Sequence, residues 1–388
     1  MQQPFIRGRT TVLSYLLLSL YGFFLDIFGP ITPFLKDELS LSYTISSFHF
    51  SALALGIIVA GLIAHRLIHK VGRWHALWIG AYGMGAGGLL VALGRSPLVT
   101  IAASFLMGLV GTLMLSVIPS LLSDEHGDGR AVALSEANVL ASIAGAAAPL
   151  LVGIFAATQL GWRAALVVAA VIPIAIRLSF GAVALPTVAI DARPGKASRL
   201  PAIYWVYWSG IVLAVSIEFC MIYWSADYLV SVLGMSKPAA SRSVSMFLAG
   251  MIGGRFAASR LVRRQSPHTV IAWSTLVAGI GFTAFWIAVS PLVAEAGLVL
   301  TGFGVAGLYP LSLALSMESA KGNSVQAGSR STLASGIAIF ALPLVLGRIA
   351  DAIGIQRAFA VILVLVMGVF IINHMTGRYA RLKKMVNG

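Results

Sequence analysis

Along the whole chain, apolar runs long enough to cross a hydrocarbon core of roughly 30 Å as helices of about 20 residues alternate with short polar interruptions. Each run is continuously apolar and lacks the period-two alternation of a membrane barrel strand, so helices are predicted. The predicted spans lie at about 10–35, 43–64, 74–94, 97–122, 131–157 and 162–185, then at about 202–231, 239–261, 268–290, 293–318, 328–350 and 356–376. The longest polar stretch, Ala189 to Arg199 (AIDARPGKASR), carries charges, Pro and Gly and falls near the middle. The expected fold class is therefore an all-α membrane protein of twelve transmembrane helices. Residues 1–188 and 201–388 form two six-helix bundles, joined by a linker at 189–200.

Composition agrees with this reading. Hydrophobic residues make up 59% of the 388 and charged residues 10%, with a mean hydropathy of +0.92. The formal net charge of +14 would suggest nucleic acid in a soluble protein, but its distribution gives it another meaning. Arg7, Arg9, Arg66, Lys70, Arg73, Arg130, Arg193, Lys196, Arg260, Arg263, Arg264, Arg378 and Lys384 fall on the side of the termini and the central loop. The opposite side holds only Lys36, Arg95, Arg163, Lys237, Arg242 and Arg357. By the positive-inside rule the termini are expected in the cytoplasm, and a nucleic-acid partner is excluded. The first run follows Arg7 and Arg9 and is long enough to span, so it is read as span 1 and not as a signal peptide. The one cysteine, Cys220, offers neither a disulfide framework nor a thiolate metal site.

An internal repeat underlies the two halves. Sliding the chain by 194 residues superposes Gly56 on Gly250, Arg66-Leu67 on Arg260-Leu261, Gly87 on Gly281 and Gly108 on Gly302. It also superposes Pro149-Leu150 on Pro343-Leu344, Gly153 on Gly347 and Arg163-Ala164 on Arg357-Ala358. Six spans per half is an even number, so the halves run in the same direction and are related by an axis along the membrane normal.

With these features the sequence resembles the major facilitator superfamily. The loop after span 2, His69-Lys70-Val71-Gly72-Arg73-Trp74, follows the second part of the family's loop motif, with His69 where Asp is usual and His65 where the first Gly is usual. Gly254-Arg255…Ser259-Arg260-Leu261 is the related loop after span 8, and Gly161-Trp162-Arg163 opening span 6 is another common family feature. Gly145…Pro149…Gly153 in span 5 loosely resembles the antiporter motif of drug exporters. The resemblance implies that spans 1, 4, 7 and 10 line a central cavity and that span 5 of one half packs against span 8 of the other.

Ionisable groups inside spans are functional candidates because an unpaired charge there is costly. Asp26 in span 1 and Glu218 in span 7 lie at near-equivalent depth, since the repeat places Asp26 on Cys220. Asp26, Glu218 or both are expected to couple protons to cargo; the alternative is that they hydrogen-bond neighbours and fix helix packing. No basic residue of spans 1, 4, 7 or 10 lies near them, which points to a neutral or cationic cargo. Glu136 of span 5 and Arg255 of span 8 are expected to form a cytoplasmic latch between the halves, with Arg330 gating at the seam of spans 2 and 11. Snorkelling or separately satisfied charges are the alternative. Tyr223, Trp224, Tyr309, Asn138 and Met114 are candidate cavity residues, with belt anchoring or packing as the other reading of the aromatics. His49 is read as a gate or surface histidine. The run Gly83 to Gly88 lies inside a span without a preceding strand or a Walker lysine, so no phosphate loop is expected.

The expectation is a secondary active transporter for a small organic solute, working by alternating access and driven by a proton gradient with no cofactor. Efflux by proton antiport leads; proton-coupled sugar or nutrient symport, passive uniport and a non-transporting receptor or scaffold are the alternatives. An enzyme and a selective channel are not expected, for want of metal or nucleophile spacing and of a filter segment. The expected partners are cargo, protons and the lipid bilayer, and the expected state is a monomer in the inner membrane.

Overall fold

The computed structural model describes residues 6–183, 200–320 and 324–387, so the linker expected at 189–200 lies outside the described residues apart from Leu200. All regular structure among the described residues is helical. The chain divides into two compact units, one of Met1–Ala192 with Lys237–Arg242 and one of Arg193–Ser236 with Ser243–Gly388.

The first unit contains α1 (Arg9–Asp26), α2 (Phe28–Glu38), α3 (Tyr43–Val71), α4 (Arg73–Leu93), α5 (Pro97–His126), α6 (Arg130–Ala156) and α7 (Arg163–Phe180). Helices α1 and α2 are one span broken by 41° at Ile27. The cause is in the sequence. Pro30 has no N–H to offer the Asp26 carbonyl four residues earlier, and Pro33 repeats the defect one turn later. Ser42 caps α3 by accepting the Ile45 N–H at 3.2 Å, and Pro97 starts α5 where no amide donor is needed. Helix α5 packs on α3 and α4, α1 on α6, and α4 on α7.

The second unit contains α8 (Ala202–Leu233), α9 (Lys237–Leu261), α10 (Pro267–Trp286), α11 (Pro291–Val305), α12 (Leu308–Ser319), α13 (Ser324–Ile353), α14 (Ile355–Ala358) and α15 (Ala360–Asn387); the first six residues of α9 group with the first unit. Gly234 ends α8 in the left-handed region at φ 65°, where a side chain would be strained. Helices α11 and α12 are span 10 interrupted at Ala306 and Gly307. Helix α8 is enclosed by α12, α13 and α15.

Among the described residues, nine helices are long and apolar enough to cross a membrane, or ten with the broken α1–α2 pair. The count reaches the expected twelve when the 60-residue element Pro97–Ala156 is taken as its two helices α5 and α6, and when α9 is included, whose 25 residues are long enough but less apolar.

The 194-residue repeat has a packing cause. A Cβ added at Gly56 of α3 would meet the Phe105 carbonyl of α5, and one at Gly108 of α5 would meet the Leu53 carbonyl of α3, both closer than the 3.0 Å that real Cβ atoms respect. The superposed glycines do the same in the second unit, Gly250 of α9 against the Val299 carbonyl and Gly302 of α11 against the Phe247 carbonyl. Paired glycines let the two backbones touch, the usual means of tight helix association in lipid.

Candidate functional site

In the first unit Asp26 closes α1 at the break, partly buried. Its carboxylate lies over Gly145 of α6, in the space that a Cβ there would occupy. One turn earlier Gly22 lies against the Ala141 carbonyl, a Cβ there standing 2.6 Å away. The glycine of the span 5 motif therefore makes room for the carboxylate. Gly153, further along α6, likewise leaves space for Pro238 and Arg242, and the Arg242 guanidinium donates to the Gly153 carbonyl at 3.2 Å.

Glu136 lies near the start of α6 and is held by Arg7, which donates through Nε at 2.9 Å and through a terminal nitrogen at 2.5 Å. The Tyr15 hydroxyl donates to the same carboxylate at 3.0 Å. Arg255 has a partner in its own unit: its guanidinium stands 3.6 Å from Oε1 of Glu218. The two residues expected to latch to one another thus each hold a partner within their own units.

Glu218 is mostly buried on α8, and Arg255 is half exposed on α9. Tyr309 of α12, just past the interruption of span 10, lies within range of the Glu218 charge and has Ser335 of α13 as a hydroxyl partner. Four helices therefore present an acid, a guanidinium, a phenol and a hydroxyl to one region of the second unit. Spans 1, 4, 7 and 10 hold no basic residue near the carboxylates, but Arg255 reaches Glu218 from span 8.

The remaining candidates occupy other surroundings. Trp224 is fully buried and its indole N–H donates to the Pro343 carbonyl of α13 at 3.1 Å. Tyr223 is fully buried beside Phe219, with ring centres 5.3 Å apart. Met114 is fully buried with its Cγ at the open side of Gly80 on α4, a packing position. Asn138 is exposed, and its amide donates back to the Leu134 carbonyl of its own helix at 2.8 Å. Arg330 is exposed, and its backbone carbonyl accepts the Trp208 indole N–H at 2.7 Å. His49 is neither exposed nor at the surface: it is buried, with Nε2 at 2.8 Å from the Thr100 hydroxyl of α5.

Several groups escaped the sequence reading. Asp227, nine residues after Glu218 on α8, is 1% exposed with the Ser231 hydroxyl 3.5 Å from Oδ2. An acid inside an apolar span was the available signal. Glu38 accepts the Trp162 indole N–H at 2.8 Å and both ends of the Arg163 guanidinium, while Arg163 Nε donates to the Ala92 carbonyl at 2.6 Å. This gives Gly161-Trp162-Arg163 a structural role, tying the end of α2 to α4 and α7. Asp37 next to it pairs with Lys237.

The sequence profile of the Major Facilitator Superfamily matches residues 14–343, most of the chain. The chain belongs to the major facilitator superfamily. The family and the relatives that match this chain are membrane transporters, not enzymes. An uncharacterised transporter of this type from Yersinia pestis is 28% identical over 172 residues, 42% of this chain and 44% of the relative. The inner membrane transport protein YdiN of Escherichia coli is 26% identical over 147 residues, 37% and 35% of the two chains. The matched stretch thus spans less than half of either relative. Among solved structures, a bacterial homologue of the human lysosomal transporter Spinster, inward-facing and occupied, superposes with a TM-score of 0.77 at 15% identity over 96% of this chain and 98% of that one. A D-xylose–proton symporter superposes at 0.70 with 14% identity, over 90% and 96%. These likenesses are of fold.

Proposed function

We propose that the chain is a proton-coupled secondary transporter of a small organic solute, working by alternating access of its two bundles, with Glu218 as the coupling carboxylate. The supporting observation is the mostly buried Glu218 with Arg255 at 3.6 Å on the neighbouring helix. A buried acid kept beside a movable cation can exist with or without its proton at modest cost, as a carrier must. Asp26, at the break of a span and over a glycine, is a second proton site. The similarity in fold to a D-xylose–proton symporter is in keeping with coupling, the partial sequence similarity to an inner membrane transport protein with an inner-membrane location, and the basic loops on the side of the termini with cytoplasmic termini. Tyr309 belongs to the cargo site. Gating is assigned to the Arg7–Glu136 pair, with Arg330 a further candidate. The transporter acts as a monomer with no cofactor beyond the proton gradient.

A compound screen for stabilisation of the detergent-purified protein identifies a cargo, which is then followed in proteoliposomes containing a pH dye. Cargo entry is expected to move protons. Glu218→Gln should abolish that movement while exchange of labelled for unlabelled cargo persists. Flux indifferent to an imposed gradient, to Glu218→Gln and to Asp26→Asn defeats the reading. The sign of the coupled proton flux separates efflux antiport, toward which the span 5 glycines point, from sugar or nutrient symport.

A further inference from the structure

We infer that the seam between α4 and α7 binds the phosphate headgroup of an anionic membrane phospholipid, with the Arg177 guanidinium as its anchor. This surface lies apart from the cargo and proton sites and does not depend on them. Arg177 is partly buried on α7, three residues before the helix ends at Phe180. Its guanidinium carbon stands 5.2 Å from the ring centre of Trp74 and 5.6 Å from that of Trp78, both on α4. Those two rings meet edge to face with centres 5.6 Å apart, and Tyr82 continues the stripe one turn further, 5.3 Å from Trp78. Stacking on aromatic faces holds a guanidinium in place without engaging its N–H groups. Among the described residues Arg177 has no hydrogen bond and no ion pair, so its donors stay open to a ligand.

The neighbouring charges favour an anion. Arg9, at the start of α1, donates to the Phe180 carbonyl at 3.0 Å, which brings a second guanidinium to the end of α7. Arg73, next to Trp74, is matched by Asp124 at 2.6 Å, so that pair adds no net charge. The surroundings favour a lipid over a soluble anion. Helix α7 is the least buried of the candidate spans among the described residues. On one of its faces Val171, Ile174 and Leu178 are half exposed or more, an apolar stripe that leads from Arg177 toward the middle of the span. Acyl chains fit that stripe, while Trp and Tyr mark the level of the headgroups. A phosphodiester presents its free oxygens to the guanidinium fork, and an anionic headgroup brings no ammonium of its own to offset the attraction. The arrangement is not a demand of the fold. The 194-residue repeat sets His268 on Trp74, Ala272 on Trp78, Leu276 on Tyr82 and Ile371 on Arg177. Helices α10 and α15 pack there as α4 and α7 do, but a hydrogen bond from His268 to Asn373 at 3.0 Å joins them in place of an arginine on aromatic rings.

The test uses the full-length protein in detergent, stripped of lipid and then offered equal amounts of dioleoyl phosphatidylglycerol and dioleoyl phosphatidylcholine. Retained lipids are counted by native mass spectrometry. Phosphatidylglycerol should be retained over phosphatidylcholine, and Arg177→Gln should cut that preference about fivefold, the usual effect of one arginine near an anionic surface. Arg177→Lys should keep part of the preference, because the charge stays while the fork and its stacking are lost. Trp74→Leu should also weaken it, by freeing the guanidinium from one of its rings. Arg66→Gln, at an exposed arginine of α3, should leave the preference as it is. A cooperative melting transition in each variant separates lost recognition from misfolding, and Arg177→Lys and Trp74→Leu carry the test should Arg177→Gln fail to fold. Equal retention of the two lipids by the wild type, an undiminished preference in Arg177→Gln, or an equal loss in Arg66→Gln would overturn the inference. Displacement of phosphatidylglycerol by an equal concentration of inorganic phosphate would also overturn it, since the seam would then be a site for a soluble anion.

Discussion

The carboxylate of Asp26 and the missing side chain of Gly145 occupy the same volume: a Cβ at position 145 would fall closer to Oδ2 than 3.0 Å. The break of the first span puts Asp26 at the end of α1, and a glycine on α6 receives it. Gly145→Ala should therefore displace the acid without touching its chemistry. The expected outcome is a loss of proton-driven accumulation approaching that of Asp26→Asn, with a fall in melting temperature of about 2–4 °C for each kcal/mol of strain. Accumulation at the wild-type rate in Gly145→Ala would show that the position of Asp26 is immaterial.

Glu136 carries two donors, Arg7 and Tyr15, and the Arg7 side chain is more than half exposed. Such an exposed pair contributes little to stability, so the melting temperature should scarcely change in Arg7→Gln. Gating is where the effect is expected. Arg7→Gln and Glu136→Gln should each shift the accessibility of cysteines introduced at the cytoplasmic ends of the helices, and the double variant should add nothing. High salt should mimic either one. Additive effects would separate the two residues.

The Glu38 cluster is different because its geometry is a fork. Arg163→Lys keeps the charge and loses the two-pronged grip on Glu38 and the Nε bond to Ala92, and a cost of about 1 kcal/mol is expected. Trp162→Phe should cost less, since one indole bond is lost and the ring contact with Phe34, centres 6.1 Å apart, persists. Thermal unfolding of the three proteins ranks them; Arg163→Lys melting with the wild type would remove the fork from the account.

The repeat makes a paired prediction. Alanine at Gly56, Gly108, Gly250 or Gly302 must push apart two helices whose backbones touch, at a cost of about 1–3 kcal/mol or more. Gly61 on α3 has nothing within 4 Å of its Cβ direction, so Gly61→Ala should be neutral or stabilising by up to about 1 kcal/mol. Melting curves of the five variants decide it. Equal behaviour of Gly61→Ala and Gly108→Ala would contradict helix contact as the reason for the repeat.

Much of the architecture was legible because hydropathy and length act one helix at a time. A run that must satisfy its own backbone in lipid has little choice but to be helical. Loop charge indicated an orientation, and the glycine matches at 194 residues pointed to contacts that are found in each unit. Hydropathy alone does not reveal helix α9, which is long enough to span but made less apolar by its Ser, Arg and Lys residues. The break at Ile27 could be read from Pro30 and Pro33 only by asking which carbonyl loses its donor.

The sequence by itself determined the class, the spans, the repeat and the presence of Asp26 and Glu218 within apolar helices, because each depends on composition along one segment. Only the tertiary structure decided the pairing of charges. Successive residues on a helix turn by about 100°, and long side chains reach across more than a turn. Depth along a helix therefore does not by itself name a charge's partner. Helix rotation and packing gave Glu136 to Arg7 and brought Arg255 to Glu218, and that second pairing turned a carboxylate read as a site for neutral or cationic cargo into half of an ion pair.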